Sequence, residues 1–202
     1  MPENTQAGYK EIPGYDYGRS VVAQSPVSLD ELREIEQTTG WTEADADILL
    51  RHESIFVQNA ERMVDRWRSV IGLQPHLAKW FFGPDGKRDD EYAARVKQRF
   101  VQWVVDVSGR PHDQAWLNYQ EEIGLRHLPA KKNQTDKRST PALVPLRFLL
   151  AFIPVITISA RQFFLEAGVS GEELERLEDA WERAVQLHVV LWARPYAREG
   201  LW

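Results

Sequence analysis

The sequence predicts an all-α protein. Apolar residues recur at spacings of three and four along most of the chain, helix-start signals follow one another closely, and no segment alternates with period two for long enough to make a convincing strand. At 202 residues the chain is one ordinary domain, with no room for a second and no internal repeat.

Residues 1–27 hold Pro2, Pro13 and Pro26 with Gly8, Gly14 and Gly18, a mixture that resists regular structure, and IPGYDYG reads as turns carrying Tyr15 and Tyr17. Ser28 with Glu31, then Thr42 with Asp45, have the spacing of N-terminal capping boxes, and Gly40 separates the two starts. The second helix is expected to run on through Ile48, Leu49, Ile55, Phe56, Ala60, Met63, Val64, Trp67 and Val70 to Gly72. HLAKWFF, between Pro75 and the GPDG turn, has length for only about two turns.

A third long helix is expected from Asp90 to Val107, its face formed by Tyr92, Val96, Phe100, Trp103, Val104 and Val107. Gly109 and Pro111 end it. From Asp113 to Leu128, Trp116, Tyr119, Ile123 and His127 share one face, Pro129 closes the helix, and AKKNQTDKRST is a polar loop. The segment from Pro141 to Glu166 sets Phe148, Phe152 and Ile156 at successive i+4 positions and reads as a buried helix kinked at Pro154. Its apolar part, Leu143 to Ile158, is too short and interrupted for a typical membrane span. The last helix starts at Ser170 with Glu173 and carries Leu174, Leu177, Trp181, Val185, His188 and Trp192 on one stripe to about Arg194.

Composition narrows the chemistry. A formal charge of -5 argues against nucleic acid, which needs a concentrated positive surface. The absence of cysteine excludes disulfides, thiolate metal sites and thiolate-ligated haem. Eight Trp suit a protein that wraps a flat apolar ligand. The N-terminus has no apolar run of signal-peptide type, so a cytoplasmic location is expected. GPDG is a turn, Glu121 and Glu122 read as a solvated face, and no nucleophile or phosphate-loop motif occurs.

Metal ligation therefore rests on five histidines. His52 and His112 read as solvated, His76 as capping or exposed, and His188 as a hydrogen-bonded core residue. His127 ranks first because it ends an amphipathic helix, where free carbonyls could orient one ring nitrogen. On local context alone it stays open between ligand and packed histidine, the commoner role.

A family resemblance decides between them. DQAWLNYQEEIGLRHLPAKKNQTD is very similar to the protoglobin segment that carries the proximal haem histidine, and IPGYDYG resembles the start of that family. DRWRSVIGLQPHLAKWFFGPDG, YAARVKQRFVQWVVD, RFLLAFIPVIT and LWARPY extend the resemblance in order over nearly the whole chain. It implies a globin fold with an additional N-terminal helix and loop: residues 1–27 fold over one haem edge, and 28–202 form a single globin-like haem domain. It implies one haem b per chain with His127 on the iron, and Trp67, Arg68, Val96, Phe100, Tyr119, Phe152 and Ile156 around the haem with Arg99 near a propionate. It also implies apolar tunnels between helices and a homodimer through the last two long helices, spending part of Leu187, Val190, Leu191 and Trp192.

Two positions depart from the family. Leu128 stands where another His is common, and Arg68 where a Tyr is common. Arg68 either turns outward, because burying an unpaired guanidinium costs several kcal/mol, or places a fixed cation over the iron. The implied function is reversible binding of O2, CO and NO as sensor, store or scavenger, with any signalling or redox partner a separate protein. Two alternatives stand beside it: a haem enzyme acting on peroxide, nitrite or reactive nitrogen species through Arg68, and a haem-free globin-like signalling module.

Overall fold

The computed structural model describes residues 11–198, 200 and 202. The expectations for Pro2 and Gly8 lie outside them. Eight α-helices follow in order: α1 Leu29–Thr39, α2 Glu43–Arg51, α3 Glu53–Leu73, α4 Pro75–Ala78, α5 Asp90–Gly109, α6 Gln114–Leu125, α7 Leu146–Glu166 and α8 Gly171–Ala193. Short 3-10 turns follow α4 and α8, and the described residues contain no strand, only one bridge between Phe82 and Arg88.

The capping boxes at Ser28 and Thr42 form as expected, whereas Ser170 makes no side-chain cap and Glu173 is bonded to His52 instead. Ser28 Oγ accepts from the Glu31 N–H while the Glu31 carboxylate accepts from the Ser28 N–H, and the Asp45 carboxylate accepts from the Thr42 N–H. Asp89 and Asp113 cap α5 and α6 in the same manner. Three boundaries differ from the sequence reading. The long second helix is broken at His52 into α2 and α3, where the His52 ring bonds the Glu173 carboxylate of α8 at 3.0 Å. Arg51, His52 and Glu53 include no helix breaker, so periodicity runs through the break. α6 stops at Leu125 and leaves His127 in the turn beyond it. α7 starts only at Leu146, because Pro141 and Pro145 hold the preceding segment out of the helical region, and it runs through Pro154 unbroken.

α3 packs on α5, and α8 packs on α2, α6 and α7. The main core gathers Phe56, Trp67, Phe163, Phe164 and Trp181, all essentially without solvent contact, each contributing roughly 1.5–3 kcal/mol by apolar burial. A second cluster, Val27, Leu32, Trp116, Leu117, Leu187 and Leu191, fastens α1 to α6 and α8.

Four solvent-side expectations are corrected by packing. Glu121 and Glu122 are buried, because Arg194 bonds the first and Arg126 and Lys131 bond the second. His112 is packed rather than solvated: its ring stacks on Trp116 and Trp41 and its Nδ1 lies 2.6 Å from the Glu36 carboxylate. His52 is likewise largely covered, its side chain only 16% exposed beside Glu173. Leu187, Leu191 and Trp192 are buried within the chain, and only Val190 of that group keeps partial exposure. α7, read as buried, instead turns Leu150, Ile158 and Leu165 outward at 47%, 75% and 49% exposure. By length and composition it is the described helix apolar enough to cross a membrane.

Candidate functional site

A cavity of about 260 Å³ opens between α3, α5, α6, α7 and the loop after α6, far larger than the water-sized voids of ordinary interiors. Its walls are mostly apolar and aromatic. Arg68, Val96, Arg99, Phe100, Tyr119, His127, Phe152 and Ile156 all line it. Trp67 does not. It is fully buried behind the wall, its ring tilted against Phe100 at 5.2 Å and its indole N–H donating to Ser159 Oγ at 2.6 Å.

Helix α6 positions His127. The ring Nδ1 lies 2.9 Å from the Ile123 carbonyl in the last turn of α6, which also accepts from the Arg126 N–H, so Nδ1 carries the proton and Nε2 keeps a lone pair. The tautomer follows from that bond. Burial pushes the His127 pKa down to about 4, with Lys132 and Arg126 adding to the fall, and the imidazole is neutral near neutral pH. The surface it retains lies on the cavity wall. Trp192 stacks beside it at 6.2 Å. His188 is held neutral too, burial lowering its pKa to about 3, but it lies in the core with Nδ1 on the Ala184 carbonyl. His76 is exposed against Phe148. Among the described residues no group of three or more His and carboxylates could hold a metal ion.

The polar rim was only partly legible. Arg99 sits on the wall, but its guanidinium is engaged by the buried Asp136 through two bonds of 2.6 and 3.0 Å, and by the Pro13 carbonyl. Lys132, which the sequence reading left in a polar loop, is 4% exposed on the same wall. Its ammonium donates to the Trp80 carbonyl and Thr140 Oγ1, and no carboxylate lies within ion-pair distance among the described residues. Burial lowers its pKa to about 8. A run of two lysines was the signal available, without indication of which one turns inward.

Arg68 turns toward the cavity. It is half-buried on the wall, donating Nη1 to the Ala93 carbonyl at 2.8 Å with its charge over the Phe81 ring at 5.9 Å. Burial and nearby Arg88 lower its pKa, and among the described residues no carboxylate pairs with it. The segment at Gly14–Tyr15 closes one edge: Tyr15 lines the cavity, its hydroxyl donates to Asp106 at 2.6 Å, and its ring meets Tyr119 at 5.3 Å. Arg126 ties the Gly14 carbonyl and Asp16 to the end of α6. Trp80 and Trp103, both on the wall, each bury an indole N–H with no partner.

An all-helical body around an apolar cavity, with a neutral imidazole on its wall, is the arrangement of a globin domain. The structure is similar to the globin domain of a Geobacter sulfurreducens globin-coupled sensor, with a TM-score of 0.65 and 16% identity over 82% of this chain and 97% of that one. The Protoglobin family model matches residues 28–202, and the chain belongs to the protoglobin family. No curated protein matches it. Family membership implies a haem cofactor and the binding or sensing of diatomic gases.

The residues present fit such a group. A porphyrin needs apolar walls, an imidazole with a free Nε2 and cations for its carboxylates. The cavity supplies Phe100, Phe152 and Ile156, His127, and the carboxylate-free Lys132.

Proposed function

We propose that the chain is a b-type haem globin, one haem per chain, that binds O2, CO and NO reversibly as a sensor, store or scavenger. The observation that carries this reading is His127: neutral, half-buried, its Nδ1–H bonded to the Ile123 carbonyl and its ring on an apolar cavity wall. The haem supplies the gas-binding iron. His127 would hold it through Nε2, and the bond to Ile123 fixes the imidazole's orientation. Val96, Phe100, Tyr119, Phe152 and Ile156 line the cavity that would take the porphyrin and exclude water from it, while Trp67 sets Phe100 from behind. Lys132 takes a carboxylate, assisted by Arg99 and Arg126 at the same edge. Purified protein expressed with adequate haem is expected to show a Soret band that shifts with CO. A protein without that band would instead be a haem-free globin-like module.

Arg68 supports a second reading, turnover of peroxide or nitrite, because its guanidinium stands on the cavity wall without a carboxylate partner. One charge-assisted bond is worth about 1.5–3 kcal/mol, so Arg68→Leu is expected to speed O2 dissociation and weaken azide binding by roughly 10- to 100-fold. Unchanged constants would remove Arg68 from the ligand's surroundings.

The homodimer is proposed on the outer face of α7, where Leu150, Ile158 and Leu165 form an apolar surface, and not on the buried stripe of α8. Sedimentation is expected to give a dimer that Ile158→Glu dissociates. A monomeric wild type would overturn this.

A further inference from the structure

A continuous row of aromatic rings joins the cavity to the far side of the molecule. Trp103 and Trp192, both on the cavity wall, lie 5.4 Å apart and contact the His188 imidazole at 5.6 and 5.9 Å. His188 meets Trp116 at 5.2 Å. Trp116 stacks on His112 at 4.0 Å, and His112 on Trp41 at 5.0 Å, with interplanar angles of 27° and 28°. Trp41 is half-buried and borders a second hollow, of about 530 Å³, with His112, Glu36, Glu43 and Arg110. The other branch from Trp103, through Trp67 and Trp181, ends on fully buried rings. Only the Trp41 end of these two reaches a surface hollow.

Besides the tryptophans, the easily oxidised side chains are chiefly the six tyrosines, of which Tyr15, Tyr92 and Tyr119 line the cavity and compete with the row at its inner end. The chain has no cysteine, and Met63, one of its two methionines, is fully buried in the core. Indoles lose an electron more readily than imidazoles. Tryptophans separated by one packed imidazole therefore form stations between which an electron vacancy can step.

We propose that this row carries oxidising equivalents from the cavity to Trp41, where a one-electron donor of phenol or ascorbate type is oxidised at the expense of hydrogen peroxide. The proposal rests on the haem reading above. Peroxide reduced in the cavity takes up two electrons and two protons, its O–O bond breaks, and two waters form. Each electron moves inward through Trp116 to Trp103 and Trp192, leaving the vacancy on Trp41. The Trp41 indole releases its N–H proton to water in the hollow. The donor's O–H then returns one electron and one proton and leaves as a donor radical. Two such rounds balance one peroxide: H2O2 with two donor molecules gives two waters and two donor radicals. His188 and His112 do not react and hold the stations in contact.

The test is spin trapping. Haem-loaded protein is mixed with hydrogen peroxide and a nitroso spin trap, then digested and mapped by mass spectrometry. An adduct is expected on Trp41, and its loss when haem-free protein is treated in the same way. In Trp116→Phe the Trp41 adduct is expected to disappear and labelling to move to Trp103, Trp192 or the cavity tyrosines. Because Trp116 is a core residue, Trp41→Phe provides the second arm: phenol oxidation should fall while the Soret response to peroxide persists. Absence of the Trp41 adduct, its survival in Trp116→Phe, or full phenol oxidation by Trp41→Phe would each overturn the proposal. A wild type with no Soret band defeats the haem reading, whereas a Soret band without a Trp41 adduct defeats the relay alone.

Discussion

Replacing His127 by alanine is expected to leave the helices in place and abolish the Soret band of the purified protein. The fold should survive because the ring lies on a cavity wall, and its removal leaves only the Ile123 carbonyl without its 2.9 Å partner. A lost neutral hydrogen bond of this kind costs about 1 kcal/mol. The cofactor loses its protein ligand altogether. Removing even an outer-shell partner of a metal ligand typically costs about 10- to 100-fold in affinity, so the loss here should exceed roughly 100-fold. Imidazole added to the variant should restore the band by entering the vacated space. His188→Gln serves as the contrast, since His188 is buried in the core on the Ala184 carbonyl. An undiminished band in His127→Ala would place the ligand elsewhere.

Gly124→Ala is expected to destabilise the protein, although helix propensity argues the other way. Alanine is favoured over glycine by about 0.8–1 kcal/mol within a helix. A Cβ at Gly124, however, would stand 2.9 Å from the Trp192 carbonyl oxygen, 3.1 Å from the Trp192 Cα and 2.9 Å from the Pro195 ring. Two of these three are backbone atoms of α8, so no rotamer change relieves the contact. Overpacking of this kind costs about 1–3 kcal/mol, which outweighs the propensity gain. Urea unfolding should show the loss for alanine, and Gly124→Leu should fail to give a cooperative transition. A Gly124→Ala protein as stable as wild type would show that α6 and α8 can separate without cost. The position also bears on the site, because the α6–α8 approach holds His127 beside Trp192.

Much of the cavity was legible because its walls are apolar and helical. Phe100 and Val96 share the inner face of α5, and Phe152 and Ile156 share a face of α7, so periodicity marked them before any contact was known. Family resemblance added His127, which local context had left among several uses of a histidine. Trp67 shows the limit of that reading. Periodicity marks it as inward but cannot distinguish a wall residue from one behind the wall, where the indole bonds Ser159.

By itself, the sequence determined the all-helical class, the capped starts at Ser28 and Thr42, and most of the helix faces that turn inward, because these depend on neighbours within a few residues along the chain. Only the tertiary structure decided the fate of the polar groups. Glu121 meets Arg194 from 73 positions away, and Arg99 meets Asp136 from 37. Whether a carboxylate or a guanidinium is buried depends on such distant partners, which desolvation makes obligatory and local pattern does not encode. That reason explains why Lys132, without a carboxylate partner among the described residues, became visible on the cavity wall only once the chain was folded.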